Sequence, residues 1–88
     1  MAHVIITGFV QGVGFRYFIE KRAKELGLTG WVRNTEDGHV EAIFQGQKEE
    51  VDKMIAACKK GPFLTNVDDV AVSIGEAQGT FSGFTIRY

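Results

Sequence analysis

Residues 11–16, with the sequence QGVGFR, place two glycines and an arginine within a short stretch. Two glycines let the backbone turn so that successive N–H groups point into one concavity, which binds an oxyanion. The residues after the stretch show helical periodicity. The unpaired N–H groups and the positive dipole end of that predicted helix therefore point into the same concavity. Arg16 opposes that dipole at a cost of roughly 0.3–1 kcal/mol unless an anion binds there. The stretch therefore predicts a site for a phosphoryl group.

The residues alone leave a second interpretation open, in which Gly12 and Gly14 make a tight connection and Arg16 is a solvated surface charge. The known glycine-rich nucleotide loops do not fit, because no GK[ST] follows and no G-x-G-x-x-G is present. The loop contains neither cysteine nor serine, which argues against a covalent phosphoenzyme formed there.

Hydrophobic periodicity and turn residues predict the elements around this loop. Asp37-Gly38 supplies the residues that a tight hairpin turn needs, and Gly61-Pro62 ends a helix. Helices are predicted at 15–26 and 49–60, and strands at 4–10, 29–35, 39–45, around Val70, Val72 and Ile74, and around Phe84, Ile86 and Tyr88.

This order predicts an α+β fold, a ferredoxin-like βαββαβ sandwich in which two helices cover one face of an antiparallel sheet, plus a short C-terminal strand. At 88 residues, the chain is predicted to form a single domain over 1–88. In this topology, residues 11–16 and the strand end at Asn34 emerge at the same end of the sheet. Asn34 is therefore a candidate for the site, although the residues alone favour a simple turn residue.

The composition restricts the function. A net charge of −1 gives no general attraction for nucleic acid or anionic lipid, and neither a membrane span nor a signal peptide is evident. Cys58 is the single cysteine, which suits a reducing, cytoplasmic location, and it is predicted to be a core residue. His3 and His39 lack the spacing of metal ligands, so no metal is expected. The predicted aromatic core consists of Phe9, Phe18, Trp31, Phe44 and Phe84.

Three segments are similar to known motifs: GFVQGVGFR at 8–16, GWVRNTEDG at 30–38 and FTIRY at 84–88. The first two resemble the two-part signature of the acylphosphatase family. The resemblance implies that Arg16 binds phosphate and that Asn34 orients the attacking water. It further implies a phosphate-binding loop whose backbone amides come from Gln11, Gly12, Val13, Gly14 and Phe15. Phe9 departs from the pattern, because many relatives have a basic residue there.

The resemblance implies an enzyme that hydrolyses acyl phosphates without a cofactor or metal. The leaving carboxylate has a conjugate acid with a pKa of about 4, so no general acid is needed. The expected partners are a small acyl phosphate and inorganic phosphate, with no nucleic acid and no membrane, and the protein is expected to be a monomer. The segment 61–66 is expected at the same end of the sheet as the site, where it would shape access.

Two alternative functions remain. One is an RNA-binding module of the same fold, although the third strand, HVEAIFQG, lacks the basic and aromatic signature of such modules. The other is a catalytically idle acylphosphatase-like domain of the kind fused to larger carbamoyl-transferring proteins. Because the chain ends at Tyr88 with nothing attached, we expect the stand-alone enzyme.

Overall fold

The structure is a computed structural model that describes residues 1–11, 14–62, 66–76 and 79–88. Its helices and strands follow the predicted order, and the differences lie at their ends. In chain order the elements are β1 (Ala2–Phe9), α1 (Phe15–Glu25), β2 (Thr29–Asn34), β3 (Val40–Gln45), α2 (Lys48–Lys60), β4 (Asn66–Ile74) and β5 (Phe84–Arg87). In the described part of the chain, no helix is long and apolar enough to cross a membrane.

The five strands form one sheet in the order β4-β1-β3-β2-β5. In this order, the neighbours β4 and β1, β1 and β3, and β3 and β2 all pair antiparallel, as in the predicted ferredoxin-like fold. The short C-terminal strand is present as well, but it pairs parallel with β2. The complete sheet is therefore mixed, and its antiparallel part consists of the four strands β4, β1, β3 and β2.

Both helices pack on the same face of the sheet. Alternate residues of β1 and β3 point into the core, and the apolar stripes of the helices meet them there. Phe44 and Phe84 stack with their ring centroids 5.5 Å apart. The largest fully buried side chains are Val4, Ile6, Val10, Phe15, Ile19, Val32, Val40, Phe44, Met54 and Cys58.

Two of the aromatic residues assigned to the core lie elsewhere. Phe9 is 62% exposed, because β3 pairs with β1 only as far as Ile6 and leaves Phe9 beside the edge strand β4. Trp31 is half-buried on the face of the sheet opposite the helices, where the guanidinium of Arg87 lies 4.7 Å from its ring centroid. Cys58 is buried in the core as predicted, and burial raises the pKa of its thiol to about 12.

A charged cluster lies on the face of the sheet that the helices leave open. Glu41 accepts a hydrogen bond from Arg33 Nε at 2.7 Å, and its other oxygen is 2.6 Å from Nε2 of His3. Burial alone would raise the pKa of Glu41, but hydrogen bonds and charge from His3 and Arg33 together hold that pKa below its ordinary value. The carboxylate therefore stabilises the fold above its ordinary pKa, and this contribution is lost as the pH falls through the lowered value.

Replacing Glu41 by glutamine is expected to lower the free energy of unfolding at neutral pH by about 1–2 kcal/mol, because the hydrogen bonds with His3 and Arg33 lose the negative charge of the carboxylate. When the pH is lowered from neutral to below the ordinary pKa range of carboxyl groups, the free energy of unfolding should fall less for the variant than for wild type. Urea unfolding across that range measures both effects. Glu36→Gln, a change at an exposed residue of the β2–β3 turn, is the control. Identical pH profiles for Glu41→Gln and wild type would contradict the assignment.

Candidate functional site

The first turn of α1 combines a left-handed glycine with an uncapped helix start. Gly14, the residue before the helix, has φ 76° and ψ 17°, a conformation that other residues adopt only with strain. No side chain of a described residue caps this end, and no acidic residue lies in the first turn, whereas α2 has Glu49 and Glu50 there. The N–H groups and the dipole of α1 are therefore not compensated by a carboxylate from its own first turn.

Phe15 determines the direction in which Arg16 points. The Phe15 side chain is 1% exposed and anchors the start of the helix in the core. Arg16 is the next residue and is half-buried, with its guanidinium 4.9 Å from the ring centroid of Tyr88. The ion pairs found among the described residues use Arg22 and Arg33 but not Arg16.

Asn34 is the last residue of β2 and pairs with Val40 of β3. Gly30 and Val32 of the same strand are buried on the side of the helices, so alternation turns Asn34 to that side as well. Its side-chain oxygen Oδ1 is buried and has no hydrogen-bond partner among the described residues. Such an acceptor costs roughly 1–3 kcal/mol when it is left unpaired.

Arg16 and Asn34 line the same pocket. Its volume is about 170 Å³, well above the ~10–15 Å³ that one water molecule needs. Gly14 and Phe15 of the predicted loop line it too, while Gly12 and Val13 lie outside the described residues. Sequence reasoning missed the remaining described lining residues, which are Val10, Tyr17, Ile86 and Tyr88. The alternation of Phe84, Ile86 and Tyr88 was a usable signal for two of them, because it places them on the helix side of the sheet.

Gln11 belongs to the predicted phosphate-binding loop, and its side chain donates hydrogen bonds to the β2–β3 turn. Nε2 donates to the main-chain oxygen of Thr35 at 2.9 Å and to that of His39 at 2.7 Å. The side chain thus holds the β2–β3 turn that follows Asn34.

The segment 61–66 is described only in part, since residues 63–65 lie outside the described residues. Gly61 lines a different groove, between α1 and α2, and does not line the pocket of Arg16. Among the described residues, no group of three or more histidine, cysteine or acidic side chains could hold a metal ion.

Comparison with known proteins identifies the family of this chain. The family model for acylphosphatase matches residues 2–86. The chain belongs to the acylphosphatase family. As a member, it is an enzyme, a hydrolase of acyl phosphates. The family resemblance predicted from the motifs at 8–16 and 30–38 is confirmed, and the match extends over nearly the whole chain.

Individual acylphosphatases are similar to this chain in sequence and structure. The acylphosphatase of Nostoc sp. is 51% identical over 98% of this chain and 84% of its own length. The crystal structure of acylphosphatase from Bacillus subtilis superposes with a TM-score of 0.96 at 36% identity, covering 99% of this chain and 97% of that one. These matches agree with the ferredoxin-like α+β fold.

A larger protein contains a similar unit. The structure of full-length HypF in the phosphate- and nucleotide-bound form matches with a TM-score of 0.83 and 30% identity. The match covers 99% of this chain but only 12% of HypF. The acylphosphatase fold therefore occurs both as most of a short chain and as a small part of a long one.

Arg16→Lys tests the prediction that Arg16 binds the phosphoryl group. Lysine keeps the charge but loses the planar two-point contact with phosphate oxygens, so kcat/KM for an acyl phosphate should fall ~100-fold or more. Competitive inhibition by inorganic phosphate should weaken as well, because the same contact is expected to bind the product. The control is Arg22→Lys on the exposed side of α1, which should retain normal activity. Near-normal activity of a folded Arg16→Lys protein would mean that the loop is only a connector.

Proposed function

We propose that Arg16 and the backbone amides of loop 11–15 hold the phosphoryl group of an acyl phosphate while Asn34 orients the attacking water. The observation that carries the proposal is the shared pocket, which the arginine at the start of α1 and the asparagine at the end of β2 both line. These two residues belong to motifs that are separate in sequence, and the fold brings them together at one end of the sheet.

The charge distribution supports binding of a dianionic phosphoryl group. Arg16 and the uncapped start of α1 both contribute positive potential, and no acidic side chain is among the described lining residues of the pocket. Without an anion, the arginine and the helix dipole repel each other. A bound phosphate converts this repulsion into attraction to a common partner and accepts a bidentate contact from the guanidinium.

The amide of Asn34 suits the orientation of a water molecule. A neutral amide has no useful basicity, so it acts by hydrogen bonding and not by removing a proton. Its unpaired Oδ1 favours rotation toward a donor, and the last side-chain torsion of asparagine is broad enough to allow this. A water held there would lie in the pocket that Arg16 also lines.

The reaction then needs no general acid or base side chain from the described lining residues, which include no aspartate, glutamate or histidine. The water oxygen forms a bond to phosphorus while the bond from phosphorus to the acyl oxygen breaks. The electron pair of that bond leaves with the carboxylate, and a phosphate oxygen accepts the proton from water. Positioning and electrostatic stabilisation of the phosphoryl oxygens supply the catalysis.

The remaining expectations are part of the same proposal. Residues 1–88 act as one cytoplasmic, monomeric domain that binds a small acyl phosphate and releases inorganic phosphate. It works without a cofactor or metal and without a nucleic-acid or membrane partner. The net charge of −1 supports the last point, because it gives no general attraction for polyanions.

Metal-independent hydrolysis is tested directly with purified protein in EDTA. Benzoyl phosphate and acetyl phosphate should be cleaved at the same rate with and without the chelator. Phosphate monoesters should be nearly untouched, because their alkoxide leaving group needs a proton donor. Strict dependence on an added divalent ion would refute the mechanism. No hydrolysis under any condition would favour an idle domain, and retention of single-stranded RNA on a nitrocellulose filter would favour an RNA-binding module.

Asn34→Ala separates the two halves of the pocket. The substitution removes the hydrogen bond to water and leaves Arg16 in place, so kcat should fall ~100-fold while the inhibition constant of phosphate changes less than ~threefold. Asn34→Asp keeps the shape but introduces a charge that repels the substrate, and its deficit should ease at lower pH as the carboxyl is protonated. Wild-type activity of Asn34→Asp at neutral pH would contradict the role of a neutral, orienting amide.

A further inference from the structure

The side-chain amide of Gln11 joins two parts of the chain that are distant in sequence. Nε2 donates one hydrogen bond across 24 residues to the oxygen of Thr35 and another across 28 residues to the oxygen of His39. A glutamine amide nitrogen carries two hydrogens, and both are used by main-chain carbonyls. The Gln11 side chain is therefore not available as a donor to a phosphoryl group.

The two acceptors face each other across the base of the β2–β3 turn. Thr35 N donates to the oxygen of His39 at 2.9 Å, and His39 N donates to Oγ1 of Thr35 at 3.1 Å. Thr35 is bonded directly to Asn34, and Val40, which follows His39, is the strand partner of Asn34. The residues that Gln11 holds are thus the immediate neighbours of Asn34 and of its partner in the sheet.

The other end of Gln11 belongs to the loop that leads to Arg16. Val10, its neighbour on one side, is 1% exposed and lines the pocket, so the backbone of Gln11 starts from a position anchored in the core. The half-buried Gln11 side chain then spans from the loop to the hairpin. It connects the half of the pocket that contains Arg16 with the half that contains Asn34.

We propose that Gln11 is a positioning residue, whose two hydrogen bonds set the distance of Asn34 from the phosphate-binding loop. The proposal rests on the proposed function, because it acts through the water held by Asn34. In this proposal the side chain of Gln11 touches neither phosphate nor water, because both of its N–H donors bind main-chain oxygens. Its loss should misplace Asn34 relative to the phosphoryl group and leave the contacts of Arg16 intact. The effect should therefore appear in kcat and not in phosphate affinity.

Glutamine is suited to this position for a chemical reason. Methionine has a similar length but no donor, so it keeps the packing and removes both hydrogen bonds. Glutamate has the same shape, but its carboxylate oxygens would face two carbonyl oxygens and repel them. Protonation gives glutamate one O–H donor, which can restore one of the two bonds at lower pH.

The test compares Gln11→Met with Gln45→Met in wild-type and Asn34→Ala backgrounds. Gln45 also donates a side-chain hydrogen bond to a main-chain oxygen, that of Gly79, but it lies at the opposite end of β3 from the site. Hydrolysis of benzoyl phosphate gives kcat, inhibition by inorganic phosphate gives its affinity, and thermal unfolding identifies the variants that fold.

In wild type, Gln11→Met should lower kcat about tenfold with phosphate inhibition changed less than about twofold, and Gln45→Met should change neither. In the Asn34→Ala background, Gln11→Met should cost less than about twofold in kcat, because the group through which it acts is already absent. If Gln11→Met does not fold, Gln11→Glu replaces it, and its kcat relative to wild type should rise as the pH falls.

An equal loss of kcat from Gln11→Met in both backgrounds would overturn the proposal, since Gln11 would then act independently of Asn34. So would a tenfold loss of phosphate affinity, or a Gln11→Glu deficit that does not change with pH. In each of these cases, a low kcat of Asn34→Ala would still support the proposed function, and only the role of Gln11 would be rejected. Wild-type kcat in Asn34→Ala alone would instead overturn the role of Asn34, and with it both proposals.

Discussion

β3 lies between β1 and β2, and Val40 pairs with Ile6 on one side and with Asn34 on the other. Val40 and Ile6 are fully buried, so this row of the sheet is fixed by burial. A shift of one residue in the pairing of β2 would turn Asn34 to the open face, away from α1. The same row marks where β1 passes beyond β3 and leads into the loop before α1. The geometry of the pocket therefore depends on the register of the central strand.

The polar groups that line the pocket make few direct contacts with one another. Arg16 lies against an aromatic ring, Asn34 has an unpaired oxygen, and the start of α1 lacks a side-chain cap. The unpaired oxygen and the helix dipole reduce the stability of the isolated fold slightly, and the proposed phosphoryl group and its attacking water would compensate both. The stabilising polar network, from His3 through Glu41 to Arg33, is on the opposite face of the sheet. The ion-pair network and the proposed phosphate site thus lie on different faces of the sheet.

The parts of this arrangement that could be predicted from sequence are those with local signals. Glycines before Arg16, the Asp37-Gly38 turn and the helical stripes all act over a few residues, and they placed Arg16 and Asn34 at one end of the sheet. The parallel pairing of β5 and the exposure of Phe9 depend on which strands are neighbours and where they end. The hydrogen bonds of the Gln11 side chain could not be predicted from the sequence, because their acceptors are main-chain carbonyls, which every residue has.

Attack by water at phosphorus, and not at the carbonyl carbon, is the step that this pocket is proposed to support. Hydrolysis of benzoyl phosphate in water labelled with heavy oxygen reports the position of attack, when spontaneous hydrolysis is subtracted with an Arg16→Lys control. We expect the label in inorganic phosphate and none in benzoate, because the proposal has Arg16 hold the phosphoryl group next to a water oriented by Asn34. Label in benzoate would place the water at the carbonyl carbon and contradict the assignment of both residues.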